Sequence, residues 1–504
     1  MVDNVGIMGY GVCIPLERVA TETIVRKREG RRKDIEELLS KIRNGLLLQY
    51  KSIANSSEDT TTLATEAAEN AITMSGIDPM KIGSVALGTE SKPYAVGLAA
   101  RHVASFSGIG ENVFVADLEG ACNAGMQAVN YVMSQIKAGI IDYGIAIGSD
   151  LSQAPVKDAL EYSAGAGAAA FVLGKKNLIA TIRDMAPYST LSLDFWRRDE
   201  MLVPKHHGRT TVEVYTNAVI GAMEELLRRH PNMKISDFEH ITFHQPSGYM
   251  PLKVCKALAQ PKIKVGCDPN VRDRLKISKE DIETKVKPWL TVLETGNTYA
   301  ASTPIAIATI LDKAKAGDDI LAVSYGSGAY TIATWLKVGK EINKKRKTVL
   351  GVQDYIQRRK EVDFKTYARY LKERTGREKI RLEYPRLVGY IEPIGKKSID
   401  VIICSSCNRV YYPVRSRCLN FECTGNLDKI KLPIKARLKK LCTRQQKIFN
   451  SSTLKNGKVF IVDADVDELK PKIELECVTR RLDYEGSDGL IIYGPCYRPS
   501  FRKK

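Results

Sequence analysis

Two stretches of this chain, 178 residues apart, run in the same order. The first is a loop of small residues at 120–123 and a helix-period segment over 124–136. Lys137-Ala138-Gly139 follows, then an apolar strand over 143–148. The second is the loop Glu294-Thr295-Gly296-Asn297-Thr298-Tyr299-Ala300-Ala301 and a helical segment over 302–314. Lys315-Ala316-Gly317 follows, then a strand over 320–325 that ends on Gly326-Ser327-Gly328-Ala329. Chance could produce any one of these matches. A loop, a helix, a tripeptide and a strand repeating in order point to a duplicated α/β unit whose two halves pack as one enzyme.

The first of these loops carries a cysteine. Val113-Phe114-Val115 reads as a strand, and Met126, Val129, Val132, Met133 and Ile136 share one face of the following helix. Cys122 therefore sits where a strand turns into a helix, among residues too small to cover it. A lone cysteine is usually a core residue. At a helix N-terminus, however, the dipole favours the thiolate, and small neighbours admit a substrate. Cys122 is the expected nucleophile.

Other polar residues fall at comparable places. Glu90 directly follows the buried strand 84–88, and His244 ends the short apolar strand of Ile241-Thr242-Phe243. Asn297 lies in the second-half counterpart of the Cys122 loop. Taken singly, these are ordinary loop, core and turn residues. Strand ends of alternating α/β units gather on one rim of a sheet, where ligands bind. The sequence therefore predicts Glu90 as a general base, with His244 and Asn297 beside it. A further run, 158–174, is almost without bulk and lets backbone approach backbone, but it lacks the residue order of a phosphate loop. A long charged helix is expected over 20–47.

With 504 residues there is room for about three domains. No apolar run reaches the length of a membrane span, and the acidic, unbiased start does not read as a signal peptide, so a cytoplasmic location is expected. The net charge of +19 is uneven: residues 341–504 hold 38 Lys and Arg against 20 Asp and Glu, and the first 340 residues are nearly neutral. Such a basic third suits a phosphate-bearing ligand, a nucleic acid, an acidic partner or simply a solvated surface.

The motifs resemble those of the archaeal 3-hydroxy-3-methylglutaryl-CoA (HMG-CoA) synthases of the thiolase superfamily. They are Gly-Thr-Glu-Ser (88–91), Ala-Asp-Leu-Glu-x-Ala-Cys-x-Ala-Gly (116–125), Asp-Ala-Leu-Glu-Tyr (158–162), Asp-Phe-Trp-Arg-Arg-Asp (194–199), Phe-His-Gln-Pro (243–246), Gly-Asn-Thr-Tyr (296–299) and Gly-Ser-Gly-Ala (326–329). They keep their order over residues 1 to about 375. The resemblance implies a five-layered αβαβα thiolase fold of two duplicated halves, 1–175 and 176–340, in a homodimer or dimer of dimers. It implies that Cys122 takes the acetyl group of acetyl-CoA, that Glu90 deprotonates the acetyl methyl, and that His244 polarises the ketone of acetoacetyl-CoA. Ser163, Thr211, Asn297 and Ser327 fall on substrate-contacting positions. Backbone N–H groups at Cys122 and at 326–328 would suit an oxyanion. Tyr249 stands where the family usually has Lys, so Lys253 or Lys256 is expected to meet the CoA phosphates. Gly120 and Asn123 replace the usual Phe and Lys, and 260–287 is longer and more charged than expected. Related ketoacyl synthases use Cys-His-Asn or Cys-His-His, and the carboxylate at Glu90 distinguishes the synthase reading from these. A non-catalytic scaffold that passes acyl-CoA between enzymes is the third alternative.

Beyond the synthase, 341–395 reads as a basic helical tail or linker. Cys404-x2-Cys407-x10-Cys418-x4-Cys423 has the spacing of a zinc ribbon over 396–426, with the second pair looser than the first; iron also suits four thiolates. About five short strands in 427–504, among them Lys431-Leu432-Pro433-Ile434, suggest an OB-like barrel. A rubredoxin-like ribbon with an OB-fold resembles the acyl-CoA-associated protein that bridges archaeal acetoacetyl-CoA thiolase and HMG-CoA synthase. It implies a module that binds CoA or docks the thiolase. OB-folds also bind nucleic acid, a role a fused enzyme does not need.

Overall fold

The computed structural model describes residues 4–55, 58–198, 201, 203–260, 268–375, 398–406, 410–411, 426–433, 435–442, 458–464, 473–479, 488–494 and 498–503. Nine strands form the main sheet. In chain order they are β1 (Gly6–Cys13), β2 (Ser84–Gly88), β3 (Phe114–Leu118), β4 (Gly144–Leu151), β5 (Ala166–Gly174), β6 (Ala180–Ser189), β7 (His240–Phe243), β8 (Asp319–Gly326) and β9 (Tyr330–Val338). Their spatial order is β7-β8-β9-β6-β1-β5-β4-β2-β3.

Outward from the β1/β6 junction the two halves repeat: β1-β5-β4-β2 on one side, β6-β9-β8-β7 on the other. The pairing senses repeat too. β1 with β5 and β6 with β9 are antiparallel, as are β5 with β4 and β9 with β8. β4 with β2 and β8 with β7 are parallel. β3 is an extra edge strand on the first half. The repetition seen in the sequence is thus a repetition of topology.

Among the helices that cover these strands are α1 (Thr60–Ser75), α2 (Ala124–Lys137), α3 (Gly208–Arg229), α4 (Tyr249–Leu258) and α5 (Ser302–Leu311). Alternation along each strand sets the layers. In β5, Ala168, Ala170 and Val172 pack with Leu63, Ala67 and Ala71 of α1. Their neighbours Ala169, Phe171 and Leu173 join Met126, Val129 and Val132 of α2 and Ile305 and Ala308 of α5. In β8, Ile320 and Ala322 face that same central cluster, whereas Leu321 and Val323 pack with Val219, Met223 and Leu226 of α3. The order is α1, half-sheet, α2 with α5, half-sheet, α3, and strands buried on both faces explain the near-continuous apolar runs.

Local chemistry fixes the helix ends. Asp59 caps α1 through the Thr62 N–H at 2.8 Å, and Gly76, at φ 73°, stops it. The single helix expected over 20–47 is instead two, Thr21–Glu29 and Ile35–Ser40, followed by a wide turn. Gly30, the residue that follows Glu29, ends the first, since glycine disfavours helix continuation. A three-stranded sheet sets Glu17–Ala20 between Tyr50–Ser52 and Lys360–Glu361 and so ties the basic tail to the body. The tail continues as α6 (Phe364–Thr375).

Further on, β10 (Ser398–Cys404) pairs with β11 (Val410–Tyr411) and β12 (Leu427–Pro433). Strands β13 (Lys435–Cys442), β14 (Lys458–Ala464), β15 (Ile473–Thr479), β16 (Asp488–Gly494) and β17 (Arg498–Lys503) form a sheet of order β15-β14-β13-β16-β17. The Lys431-Leu432-Pro433 strand belongs with the cysteine-bearing sheet rather than with these five. β13 and β17 carry too many Lys and Arg to read as strands from the sequence. Among the described residues no helix is long and apolar enough to cross a membrane.

Candidate active site

Cys122 occupies a strained turn. Ala121, just before it, has φ 50°, a conformation that costs a residue with a Cβ about 1 kcal/mol or more. The corresponding residue of the second half, Tyr299, has φ 46°. α2 and α5 begin three residues after these two positions, so Ala300 stands where the duplication would put a second Cys122. Gly125 and Gly148 let the turns of the two halves touch. A Cβ on Gly125 would lie 2.3 Å from the Ala300 carbonyl oxygen, and one on Gly148 would lie 2.4 Å from the same atom.

Asp150, at the end of β4, joins these turns. It is fully buried. Its Oδ1 accepts from the Thr89 hydroxyl at 2.8 Å, the Glu90 N–H at 2.9 Å and the Ser91 hydroxyl at 2.6 Å. Its Oδ2 accepts from the Ala300 N–H at 2.9 Å. One carboxylate thus holds both the turn bearing Glu90 and the second-half turn.

The Glu90 carboxyl and the Cys122 thiol are neighbours, close enough to act on each other's protonation. Glu90 Oε1 is enclosed and has no hydrogen-bond partner among the described residues. Burial, then the neighbouring Asp150 charge, push the Glu90 carboxyl up to about 8; the Cys122 thiol beside it opposes this. Asp150 is raised as well, by burial, but four donors hold it as the carboxylate, so Glu90 is the group that keeps the proton. The expected thiolate at Cys122 is corrected. Burial, then Glu90, hold its thiol well above the ordinary range. A helix N-terminus contributes about 1 kcal/mol, too little to offset a buried site flanked by carboxylates.

His244 follows β7 and is 1% exposed. Its backbone is fixed on both sides: its N–H donates to the Val323 carbonyl at 2.8 Å, and its carbonyl accepts from the Tyr215 hydroxyl at 2.6 Å. The ring lies against Tyr325, centroids 6.4 Å apart and planes 25° from parallel. The Tyr325 hydroxyl donates to Asp194 Oδ2 at 2.9 Å, and the Asp194 charge is felt at Cys122. Burial pushes the His244 imidazole down to about 3, so it is neutral at physiological pH. Its Nδ1 has no partner among the described residues.

Asn297 is buried beside Asp150: its Oδ1 accepts from the Tyr299 N–H at 3.0 Å and fixes that turn. Ser163 meets it through the backbone, the Asn297 N–H donating to the Ser163 carbonyl at 2.6 Å. Ser327 follows Gly326, whose Cβ position is 2.4 Å from the Gly120 carbonyl of the nucleophile loop. Thr211, in the first turn of α3, reaches the Asp194 carbonyl at 3.4 Å. Tyr249 and Lys253 lie on the exposed face of α4, outside this network. Asp150, Asp194, Tyr299 and Tyr325 are site residues that carried no assigned role in the sequence. Asp194 and Tyr299 lay inside quoted motifs, and Asp150 follows Gly148-Ser149 at a strand end, which was the available signal. Of the four cysteines of the ribbon motif, Cys404 ends β10 and is buried; Cys407, Cys418 and Cys423 lie outside the described residues.

Known proteins agree with this geometry. The thiolase N-terminal domain family matches residues 49–184. The hydroxymethylglutaryl-CoA synthase of Methanothermobacter thermautotrophicus is 38% identical over 366 residues, which cover 72% of this chain and 97% of that protein. That of Methanocaldococcus jannaschii is 37% identical, covering 73% and 98%. The chain belongs to the hydroxymethylglutaryl-CoA synthase family. Among solved structures, MvaS in complex with 3-hydroxy-3-methylglutaryl coenzyme A superposes with a TM-score of 0.65 at 23% identity, covering 73% of this chain and 92% of that one. An HMG-CoA synthase complexed with CoA gives 0.63 at 23% identity, covering 73% and 90%. The shared fold is therefore that of these synthases.

Proposed function

We propose that this synthase condenses acetyl-CoA with acetoacetyl-CoA and water to HMG-CoA and CoA through an acetyl thioester on Cys122. In its ionised form Glu90 takes the proton of the Cys122 thiol as the sulfur attacks the acetyl carbonyl, then hands it to the departing CoA, which leaves as the thiol. The thioester acidifies the acetyl methyl. Glu90, ionised again, removes a methyl proton, and the resulting carbanion adds to the ketone of acetoacetyl-CoA. Neutral His244 hands its ring N–H proton to the new alkoxide and recovers the proton that Glu90 took from the methyl group, so both groups end as they began. Water then cleaves the thioester, releasing a carboxylate and restoring the thiol. Asp194 and Tyr325 orient His244.

The observation that carries this reading is a carboxyl group, rather than a second imidazole or an amide, buried beside the cysteine. Its raised proton affinity matches carbon deprotonation near neutral pH. The test follows CoA thiol release from acetyl-CoA plus acetoacetyl-CoA. HMG-CoA formation lost in both Cys122→Ala and Glu90→Ala supports it. Turnover that survives in Glu90→Ala but not in Cys122→Ala indicates a ketoacyl synthase, and an inert wild type indicates a scaffold.

Ser163, Thr211, Asn297 and Ser327 are read as acyl contacts, and Tyr249 with Lys253 as contacts to CoA. The exposed edge of β3, with Phe114 53% exposed, suits pairing with a second copy in a homodimer. In the C-terminal third a structural zinc would be held by Cys404, Cys407, Cys418 and Cys423. The donor set fits: four thiolates suffice for a closed tetrahedral site, and buried Cys404 ends a strand that turns back into β11. Among the described residues no group of three metal-binding side chains stands together. The ion would cross-link the ribbon and take no part in condensation. The five strands β13–β17 are read as an OB-fold that binds CoA or docks acetoacetyl-CoA thiolase. This synthase is read as cytoplasmic and without nucleic acid.

A further inference from the structure

The basic tail has a place next to this site that its composition does not suggest. α6 is polar, yet its Tyr367 and Tyr370 are only 3% and 5% exposed. The Tyr367 hydroxyl donates to Glu161 Oε1 at 3.1 Å. Glu161 is almost wholly buried, and its carboxylate also takes Arg28 at 2.7 Å and the Lys157 N–H at 2.7 Å. Its carbonyl accepts from Lys51 Nζ at 2.6 Å, and that ammonium sits 5.2 Å above the Tyr367 ring. Four side chains, Arg28, Lys51, Glu161 and Tyr367, therefore meet at one buried polar node from distant parts of the sequence. A node needed only for cohesion could be apolar at no loss of stability.

What lies beyond the node gives it a role. Glu161 belongs to the short helix Ala159–Ser163, and the Ser163 carbonyl accepts from the Asn297 N–H at 2.6 Å. The Gly165 N–H donates back to the Asn297 carbonyl at 2.8 Å. Gly296 turns at φ 70°, and a Cβ there would lie 3.1 Å from the Lys51 Cβ. Asn297 Oδ1 then fixes Tyr299, Ala300 bonds Asp150, and Asp150 bonds the backbone of Glu90. From α6 to the carboxyl-bearing turn every link is a hydrogen bond or a shared short element.

We propose that Tyr367, Glu161 and Lys51 are positioning residues for condensation: they hold the Ser163–Asn297 link, and through it the turn that frames Glu90. The tail helix thereby belongs to the catalytic body rather than to a linker. The proposal rests on the reading of Glu90 as the base.

Tyr367→Phe tests it, since the substitution keeps the ring and removes one hydroxyl. It is expected to lower kcat about fivefold, the net weight of one ordinary hydrogen bond. KM for both thioesters should stay within about twofold, and a burst with acetyl-CoA alone should still acetylate one Cys122 per site. In an Asn297→Ala background the same substitution should cost nothing further, because the next step toward Glu90, the bond from the Tyr299 N–H to Asn297 Oδ1, is already cut. An unchanged kcat in Tyr367→Phe, or losses that multiply in the double variant, would overturn the proposal. Survival of the wild-type reaction in Cys122→Ala would instead overturn the functional reading, and the two failures cannot be confused.

Discussion

Asp150→Asn separates the two things that Asp150 does. Geometrically the carboxylate serves four donors, three on Oδ1 and one on Oδ2. An amide has one oxygen. Its best placement keeps the Thr89, Glu90 and Ser91 donors and turns its NH2 toward the Ala300 N–H, leaving that donor unpaired at about 1–3 kcal/mol. Electrostatically, the second cause of the raised Glu90 carboxyl disappears, while burial, the first, remains. Glu90 should therefore ionise at lower pH, by about one unit, though still above the ordinary carboxylate range. Because the base must be ionised to act, activity rises with pH through that midpoint, and the acidic limb of kcat moves to lower pH in the variant. The assay is kcat against pH at saturating acetyl-CoA and acetoacetyl-CoA, with a thermal melt at each pH. An acidic limb that stays in place or moves upward would refute the argument, even if kcat itself had fallen, since a purely architectural Asp150 lowers the curve without shifting it.

Three further outcomes follow from the same geometry. Glu90→Gln should stabilise the fold at alkaline pH: with its folded value raised, the wild type loses stability as pH climbs from about 4.5 to about 8. The advantage, roughly 1–3 kcal/mol after discounting partial exposure, should be seen in melts at pH 8.5 and vanish near pH 4.5. Gly148→Ala places a Cβ 2.4 Å from the Ala300 carbonyl, so the melting temperature should fall by several degrees and kcat should fall with it; a variant with wild-type kcat would show that the joint between the halves does not govern the site. Elemental analysis of the full chain should find about one zinc per chain, and its removal should leave condensation in place while loosening the ribbon; less than about half an equivalent would count against the four-cysteine site.

The duplicated order was legible because topology writes itself into the chain: a repeated helix, Lys-Ala-Gly and strand must rebuild the same neighbours. Cys122, Glu90 and His244 were legible for a related reason, that parallel strand ends fall on one rim and each of these residues directly follows or closely precedes an element boundary. Asp150 carried a weaker signal. Its importance lies in which four donors converge on it, and three of those come from 59–61 residues earlier while the fourth comes from 150 residues later. No local pattern encodes such a convergence. The thiolate at Cys122 failed for the converse reason. The helix N-terminus is a local feature, correctly read, but protonation is set by everything that surrounds a buried sulfur, and here that includes carboxylates brought in from other segments. A cysteine that keeps its proton beside a carboxyl raised to about 8 is poised differently from a ready-made thiolate: the carboxyl must be ionised to take that proton before the sulfur can attack, so one group's titration governs the other's reactivity.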